Sequence, residues 1–204
     1  MNVVSMLPSA TEILYALGVE PVGVSHECNY PAYATTKPEV TSTTLSEEGS
    51  SDEINRSIAE AEDGDIYRVD VDKLRELEPD LVLTQDVCSD CAIDSSEVSR
   101  AIEKLDLEPE VLSLHPHTVN DVLEDVTMVG AATGREERAE EVVDDLVGRM
   151  DAVEDRTDSL DRPKTVVIEW MDPVMTGGTL EPGDGQNSGG RSVSHEPWCT
   201  IGNR

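Results

Sequence analysis

The sequence predicts an α/β fold in which helices cover a parallel sheet. Short apolar runs that suit buried strands occur at Val3–Leu7, Leu81–Thr84 and Glu110–Leu114. Each run is followed by a segment whose apolar residues have helical spacing, and the connections are long enough for the right-handed crossovers of parallel strands. We therefore predict a Rossmann-like parallel-sheet lobe, a long linking helix and the opening strand of a second α/β lobe.

The first predicted unit is the strand Val3–Leu7 and the helix after it. Pro8 ends the strand because proline has no N–H for the ladder. Ser9 and Glu12 fit the capping-box pattern S-x-x-E, so the helix is expected to begin at Ser9, and Gly18 suits its C-terminal cap. Free N–H groups at such a helix start lie where open α/β sheets bind ligands. The same pattern also fits an ordinary βα unit that binds nothing.

Shorter elements continue the alternation of strands and helices. Pro21–Ser25 is predicted to be a strand, followed by the polar loop His26–Pro31. Ala34–Gly64 is rich in Ser, Thr, Glu and Asp and is predicted to be a loop-like excursion with a short helix. Asp72–Glu78 and Ser96–Leu105 have the apolar spacing of helices that pack on a sheet.

A long helical region follows Thr118, which is predicted to cap it. Gly130 and Gly134 interrupt its apolar stripe, and Arg135–Arg156 would form a helix about 30 Å long. We interpret this helix as a connector between two lobes, because a further strand, Thr165–Trp170, comes after it. The alternative is a plain helix packed on the same sheet. The predicted regions are an N-terminal ligand-binding lobe at 1–116, a linking segment at 117–160, the start of a second lobe at 161–176 and a non-native or disordered tail at 177–204.

Acidic residues dominate the composition. The 204 residues include 44 Asp and Glu but 15 Lys and Arg, which gives a net charge of −29. Such a charge repels nucleic acids and anionic membranes, and it suits a protein kept soluble in concentrated salt, as in a halophilic acidic proteome. No segment has the roughly 18 apolar residues of a membrane helix, and no signal peptide precedes the first strand. The chain as written is expected in the cytoplasm, or at the cell surface if an upstream signal has been lost.

Four motifs in series resemble one protein family. The segments M-L-P-S-A-T-E-I-L, V-G-V-S-H-E-C-N-Y-P and L-E-P-D-L-V-L-T-Q, with the helix pair after Thr118, are similar to the cobalamin and iron-siderophore substrate-binding proteins of ABC importers. The match covers Met1 to about Thr176. The resemblance implies two α/β lobes joined by one helix, a ligand held between the lobes, no enzymatic activity and no cofactor, and an ABC permease and ATPase as partners.

The resemblance also implies which residues form the ligand cleft. Three pairs follow predicted strands of the first lobe: Pro8 and Ser9, His26 and Glu27, and Gln85 and Asp86. The fourth pair, Glu169 and Trp170, lies on the second lobe. Asp72 lies where the family carries an acidic residue that docks to permease arginines, although a carboxylate at a helix start is also a favourable partner of the helix dipole. Glu27, Thr43 and Gln85 stand where cobalamin binders often have aromatic residues, which favours a more polar ligand or a metal chelate.

The cysteines allow a different class of function. Cys28 follows His26, and Cys88 and Cys91 form a CxxC on a loop that the fold would bring to the same rim. Three thiols and an imidazole suit a tetrahedral zinc site, and a CxxC at a helix start suits redox chemistry. The alternative functions are thus a cytosolic metal- or thiol-dependent protein, or a corrinoid-handling protein without a transporter. Small structural thiols are the simpler interpretation.

The segment after Thr176 has no strand or helix period. Gly178–Gly190 can be encoded by a choice of synonymous codons that has a second open reading. Read from the second base, these codons give G-H-W-N-P-E-M-V-R-I-A-G. This peptide resembles the segment that follows the E-W-x-D-P strand in the family. We therefore hypothesise that a frameshift near Gly177 truncated the second lobe. The sequence of the gene tests this hypothesis.

Overall fold

The fold is built on a buried three-residue strand, β1 (Val3–Ser5), at the start of the chain. The computed structural model describes residues 1–45, 50–60, 66–86, 93, 95–105, 107–161, 166, 168–171 and 174–176. The later elements are, in chain order, α1 (Pro8–Ala16), β2 (Gly23–Val24), a 3₁₀ helix (Ala32–Thr36), β3 (Thr41–Thr43), α2 (Ser51–Glu60), β4 (Tyr67–Val69), α3 (Val71–Leu77), β5 (Leu81–Gln85), α4 (Ser95–Ile102), β6 (Glu110–Leu114), α5 (Val119–Thr133), α6 (Glu136–Thr157), β7 (Ile168–Met171) and β8 (Val174–Thr176).

The main sheet has four parallel strands in the order β2-β1-β5-β6. Val4 of β1 lies opposite Gly23 on one side and Val82 on the other, so β1 is paired along both edges. Strands β3 and β4 form an antiparallel pair, as do β7 and β8. The predicted α/β class with a parallel, helix-covered sheet is confirmed.

Each face of the sheet has its own apolar core, because successive side chains of a strand point to opposite faces. On one face, side chains of α1, α5 and α6 pack against Val3, Leu81 and Leu83. On the other face, side chains from β4, α3 and α4 pack against Val4 and Val82. The sheet is therefore covered on both sides, as parallel sheets require.

The predicted start of α1 is wrong. The helix begins at Pro8, and its N-cap is Leu7, with no side-chain cap hydrogen bond. Proline suits this first helical position because its fixed φ matches the helix and its missing N–H would have had no partner. Ser9 is the second helical residue, while Gly18 has the left-handed φ of +72° expected after a helix end.

The predicted loop-like excursion at Ala34–Gly64 is also partly wrong. It contains strand β3 and helix α2, and the chain then returns through β4, which the sequence did not predict. Residues 46–49 and 61–65 of this segment lie outside the described residues. The Val40 N–H bonds to the Val24 carbonyl at 2.8 Å, and the Asp70 N–H bonds to the Val40 carbonyl at 2.9 Å. These bonds attach the β3–β4 pair to β2.

Helices α5 and α6 agree with the sequence. Thr118 caps α5 and forms a capping box with Asp121, and Gly134 ends the helix with a φ of +64°. Helix α6 has 22 residues and matches the predicted helix Arg135–Arg156 within one residue at each end. The division into regions at 116 and 160 stays a prediction, and the tail at 177–204 lies outside the described residues.

Within the ranges given above, no helix combines the length and the apolar character that crossing a bilayer requires.

Two glycines in the helix pair should respond oppositely to alanine. A Cβ at Gly130 of α5 would lie 2.5 Å from the Ala139 Cβ of α6, whereas a Cβ at Gly148 would meet nothing within 4 Å. We expect Gly130→Ala to lower the free energy of unfolding by about 1–3 kcal/mol, because the helices must separate. Gly148→Ala should raise it by up to about 1 kcal/mol through helix propensity. Urea unfolding measures both, and equal effects of the two variants would contradict the close packing.

Candidate functional site

Polar residues follow the carboxyl ends of all four parallel strands. Because the strands are parallel, these ends share one edge of the sheet, which we call the carboxyl edge. In the order of the strands across the sheet, the residues that follow them are His26 and Glu27 after β2, Pro8 and Ser9 after β1, Asp86 after β5 and His115 after β6. Most of the residues predicted for the first lobe thus lie along one edge.

The turn from β1 to α1 is fixed by a buried hydrogen-bonded group. Ser5 Oγ donates to the Leu7 carbonyl at 3.0 Å, and Thr11 Oγ1 donates to Ser5 Oγ at 2.8 Å. The first intrahelical bond runs from the Thr11 N–H to the Leu7 carbonyl, so the N–H groups of Ser9 and Ala10 precede it. Ser9 is exposed. This helix start therefore offers backbone donors at the carboxyl edge.

Thr41 holds His26 in place. The His26 N–H donates to Thr41 Oγ1 at 3.2 Å, and the His26 Nδ1 lies 2.8 Å from the same hydroxyl oxygen. Thr41 Oγ1 in turn donates to Ser25 Oγ at 3.0 Å. The other ring nitrogen, Nε2, is buried and has no hydrogen-bond partner among the described residues. The imidazole is thus oriented from one side and keeps a nitrogen available for a further contact.

Asp86 connects the ends of three elements. Its Oδ1 accepts the Ser95 N–H at 3.0 Å where α4 begins, and its Oδ2 lies 3.5 Å from His115 Nε2. Burial alone would raise the pKa of Asp86, but the hydrogen bonds from Ser95 and the neighbouring His115 outweigh it and lower the pKa below its ordinary value. His115 was not among the residues predicted for the site, although its position directly after a strand was the available signal.

Gln85 belongs to the sheet. It is the last residue of β5 and is only 5% exposed, so its side chain lies in the interior beside the carboxyl edge. The predicted strand stopped at Thr84, which had placed Gln85 in the loop. Its contact with a ligand stays a prediction.

Cys28 is a buried thiol. It is 3% exposed, and its Sγ lies 3.1 Å from Thr11 Oγ1. Burial raises the pKa of Cys28 above that of a free thiol, which opposes both metal binding and redox chemistry at neutral pH. Cys88 and Cys91 lie outside the described residues. The described part of the chain contains no group of three or more His, Cys, Asp or Glu residues arranged to hold a metal ion.

The remaining predicted residues lie on other elements. Asp72 is exposed in the first turn of α3 and pairs with Arg75, while Asp70 caps the helix by accepting the Lys73 N–H at 2.9 Å. The backbones of Glu169 and Trp170 lie on β7, and their side chains are outside the described part of the structure. Neither position has a described contact with the carboxyl edge.

Asp125 is a buried carboxylate that sequence reasoning missed. It lies on α5 and is 4% exposed. Burial and then the nearby charge of Asp121 raise its pKa from 3.8 to about 6, although His115 acts in the opposite direction. The available signal was an acidic residue three positions after Val122 and four before Val129, within the apolar face of the helix.

Comparison with known proteins identifies the family. The sequence profile described as "Periplasmic binding protein" matches residues 3–189. The chain belongs to this family. Its members are substrate-binding proteins of ABC transporters and not enzymes, which confirms the resemblance stated from the four sequence motifs.

Three relatives share less than a third of their aligned residues with this chain. An uncharacterised ABC transporter substrate-binding lipoprotein, YvrC of Bacillus subtilis, is 28% identical over 174 residues, which is 82% of this chain but 46% of the relative. The chain thus spans slightly less than half of that protein. Among solved structures, the periplasmic vitamin B12 binding protein BtuF of Vibrio cholerae has a TM-score of 0.68 at 17% identity over 98% of this chain and 70% of its own. A periplasmic heme binding protein from Pseudomonas aeruginosa has a TM-score of 0.67 at 18% identity, and the alignment covers 97% of this chain and 64% of the heme binding protein.

The raised pKa of Asp125 makes a prediction about stability and pH. The folded-state pKa of Asp125 is about 6, above the ordinary value of 3.8. The group therefore favours folding below pH 3.8, and this contribution is lost as the pH rises through 6. We expect Asp125→Asn to unfold with a free energy on the order of 2 kcal/mol above that of wild type near pH 8, with the difference shrinking towards pH 4.

Urea unfolding at both pH values measures this difference. Asp144→Asn, on the exposed surface of α6, removes the same charge and serves as the matched control. An equal pH dependence in the two variants would attribute the effect to net charge and contradict a specific cost of burying Asp125.

Proposed function

We propose that this chain supplies the ligand-binding lobe of a substrate-binding component of an ABC importer, and that its ligand is a metal chelate of the cobalamin or iron-siderophore kind. The observation that carries the proposal is the parallel order β2-β1-β5-β6, because it brings the polar residues after all four strands to one edge. Membership of a binding-protein family supports a ligand at that edge.

In the proposed site, the first turn of α1 supplies backbone donors beside Pro8 and Ser9. His26 and Glu27 form one flank and Asp86 the other. The ligand is held between this lobe, residues 1–116, and a second lobe that begins at 161–176 and contributes Glu169 and Trp170. The segment 117–160, with α5 and α6, links the two lobes, and their closure around the ligand excludes water.

The choice of a metal chelate rests on structural neighbours. These neighbours bind vitamin B12, heme or iron-siderophore complexes. All of these ligands are metal complexes. A thiol-dependent function receives less support, because burial keeps the Cys28 thiol protonated.

Two further proposals concern partners and location. Asp72 is exposed on α3, and we infer that it docks to arginines of the permease, which in turn acts with an ATPase. Docking would require Asp72 to exchange its partner Arg75 for a permease arginine. Because the similar Bacillus subtilis protein is a lipoprotein, we infer that this protein acts outside the cytoplasmic membrane.

Amide NMR spectra of the chain test the proposed site. Vitamin B12, whose cobalt is diamagnetic, is titrated into the labelled protein at high salt. We expect one-to-one binding with a Kd on the order of 100 µM, because the described lobe provides one wall of a two-sided site. Shifts are expected at the non-proline positions among residues 6–9, 25–31, 86 and 115–118, whereas Asn2, Asp80 and Glu110 at the opposite edge should not move.

A matched pair of variants adds a functional control. Ser9→Trp places a bulky side chain at the exposed start of α1 and should weaken binding about tenfold. Ser99→Trp makes the same exchange on the exposed surface of α4 and should change the Kd less than about twofold. The absence of saturable binding by both vitamin B12 and Fe³⁺-Desferal, or shifts clustered at the opposite edge, would overturn the proposed function.

A further inference from the structure

The described loops of the carboxyl edge carry acidic side chains but no Lys or Arg. These described loops comprise residues 6–9, 25–31, 86 and 115–118. Their carboxylates are Glu27 and Asp86, and their basic side chains are the imidazoles of His26, His115 and His117. Residues 87–92, for which only the sequence is considered, also contain no Lys or Arg.

The described cations lie on other elements, and most are held by local carboxylates. Lys37 pairs with Glu20. Five more pair with a carboxylate three or four residues away in the chain: Arg56 with Asp52, Lys73 with Asp70, Arg75 with Asp72, Arg100 with Glu97 and Arg138 with Glu141. Arg149 and Arg156 line a groove between α5 and α6. Arg68 lies on β4, Lys104 lies after the end of α4, and Arg135 lies between α5 and α6.

The two carboxylates of the edge, Asp86 and Glu27, differ in their surroundings. Hydrogen bonds and His115 hold the pKa of Asp86 below its ordinary value, so this residue is ionised at neutral pH. Glu27 donates its backbone N–H to Ser25 Oγ at 3.4 Å, and no cation in the described part of the chain lies within ion-pair distance of its carboxylate. The edge therefore has a local negative charge in addition to the net charge of −29 of the whole chain.

Anionic ligands need the opposite arrangement. Proteins recognise carboxylate and phosphate groups mainly with Arg and Lys, whose charge-assisted hydrogen bonds are short and strong. A like charge placed beside Glu27 and Asp86 is repelled, and the acidic field of the chain also lowers the local concentration of anions. A neutral or cationic complex meets neither penalty.

We propose that the wall formed by the carboxyl edge selects metal chelates with no net charge or a net positive charge, and rejects polyanionic chelates. This inference rests on the proposed function and specifies the chemical class of its ligand. Glu27 is the specificity-determining residue, because its carboxylate has no described cationic partner. Asp86 contributes less, since it already binds Ser95 and His115.

Three probes of different charge test the inference: Fe³⁺-Desferal, which is cationic, vitamin B12, which is neutral, and the ferric complex of a tris-catechol chelator, which is polyanionic. Equilibrium dialysis of the full chain gives the Kd of each. We expect the polyanionic complex to bind at least about tenfold more weakly than the other two at about 0.1 M salt, with a smaller difference at about 1 M salt.

Charge reversal identifies the residue responsible. Glu27→Lys should tighten binding of the tris-catechol complex about tenfold and weaken binding of Fe³⁺-Desferal by a similar factor. Glu110→Lys makes the same charge change in an exposed residue at the start of β6, on the opposite edge of the sheet, and should alter either Kd less than about twofold. Circular dichroism of both variants checks that each remains folded.

The outcomes separate the two proposals. If none of the three probes binds, the proposed function fails. If probes bind but wild type prefers the tris-catechol complex, or does not distinguish it, the inference about charge is overturned and the proposed function stands. Equal effects of Glu27→Lys and Glu110→Lys would assign selectivity to the net charge of the chain and would also overturn the role of Glu27.

Discussion

The position of β1 between β2 and β5 is the constraint on which the rest of the structure depends. Val3, Val4 and Ser5 are all buried, and they pair on both sides with parallel strands. Because alternate residues face opposite sides, the strand supplies both apolar cores and fixes the helices above and below the sheet. The same pairing aligns the strand ends, so the loops after β2, β1 and β5 must be neighbours.

The elements predicted well from sequence are those whose signals are local. The apolar run of β5, the cap at Thr118 and the length of α6 each depend on residues within a few turns, and the structure confirms them. Strands β3 and β4 were missed because each has three residues, and the bond from Asp70 to Val40 that attaches them connects distant parts of the chain. A short stretch of sequence does not indicate a pairing between such distant residues.

The candidate site was predicted at the level of the loops but not of the side chains. The positions after β1, β2 and β5 do share one edge, since the chain order of strands and crossovers nearly determines it. Whether Gln85 faces the interior depends on a single further residue of strand, and a shift of one residue reverses the side that a side chain faces. The pairing of Asp86 with His115 depends on β5 and β6 being neighbours, which the sequence does not state directly.

The β3–β4 pair supports both surfaces for which we propose a function. Thr41 at the start of β3 holds the His26 ring at the carboxyl edge. Thr41 lies opposite Val69 in the pair, and Val69 is followed by Asp70, the cap of the helix that carries Asp72. We therefore expect a substitution that loosens β3 from β4 to disturb both the position of His26 and the start of α3. The segment that sequence patterns treated as a surface excursion thus connects the proposed ligand site to the proposed docking site.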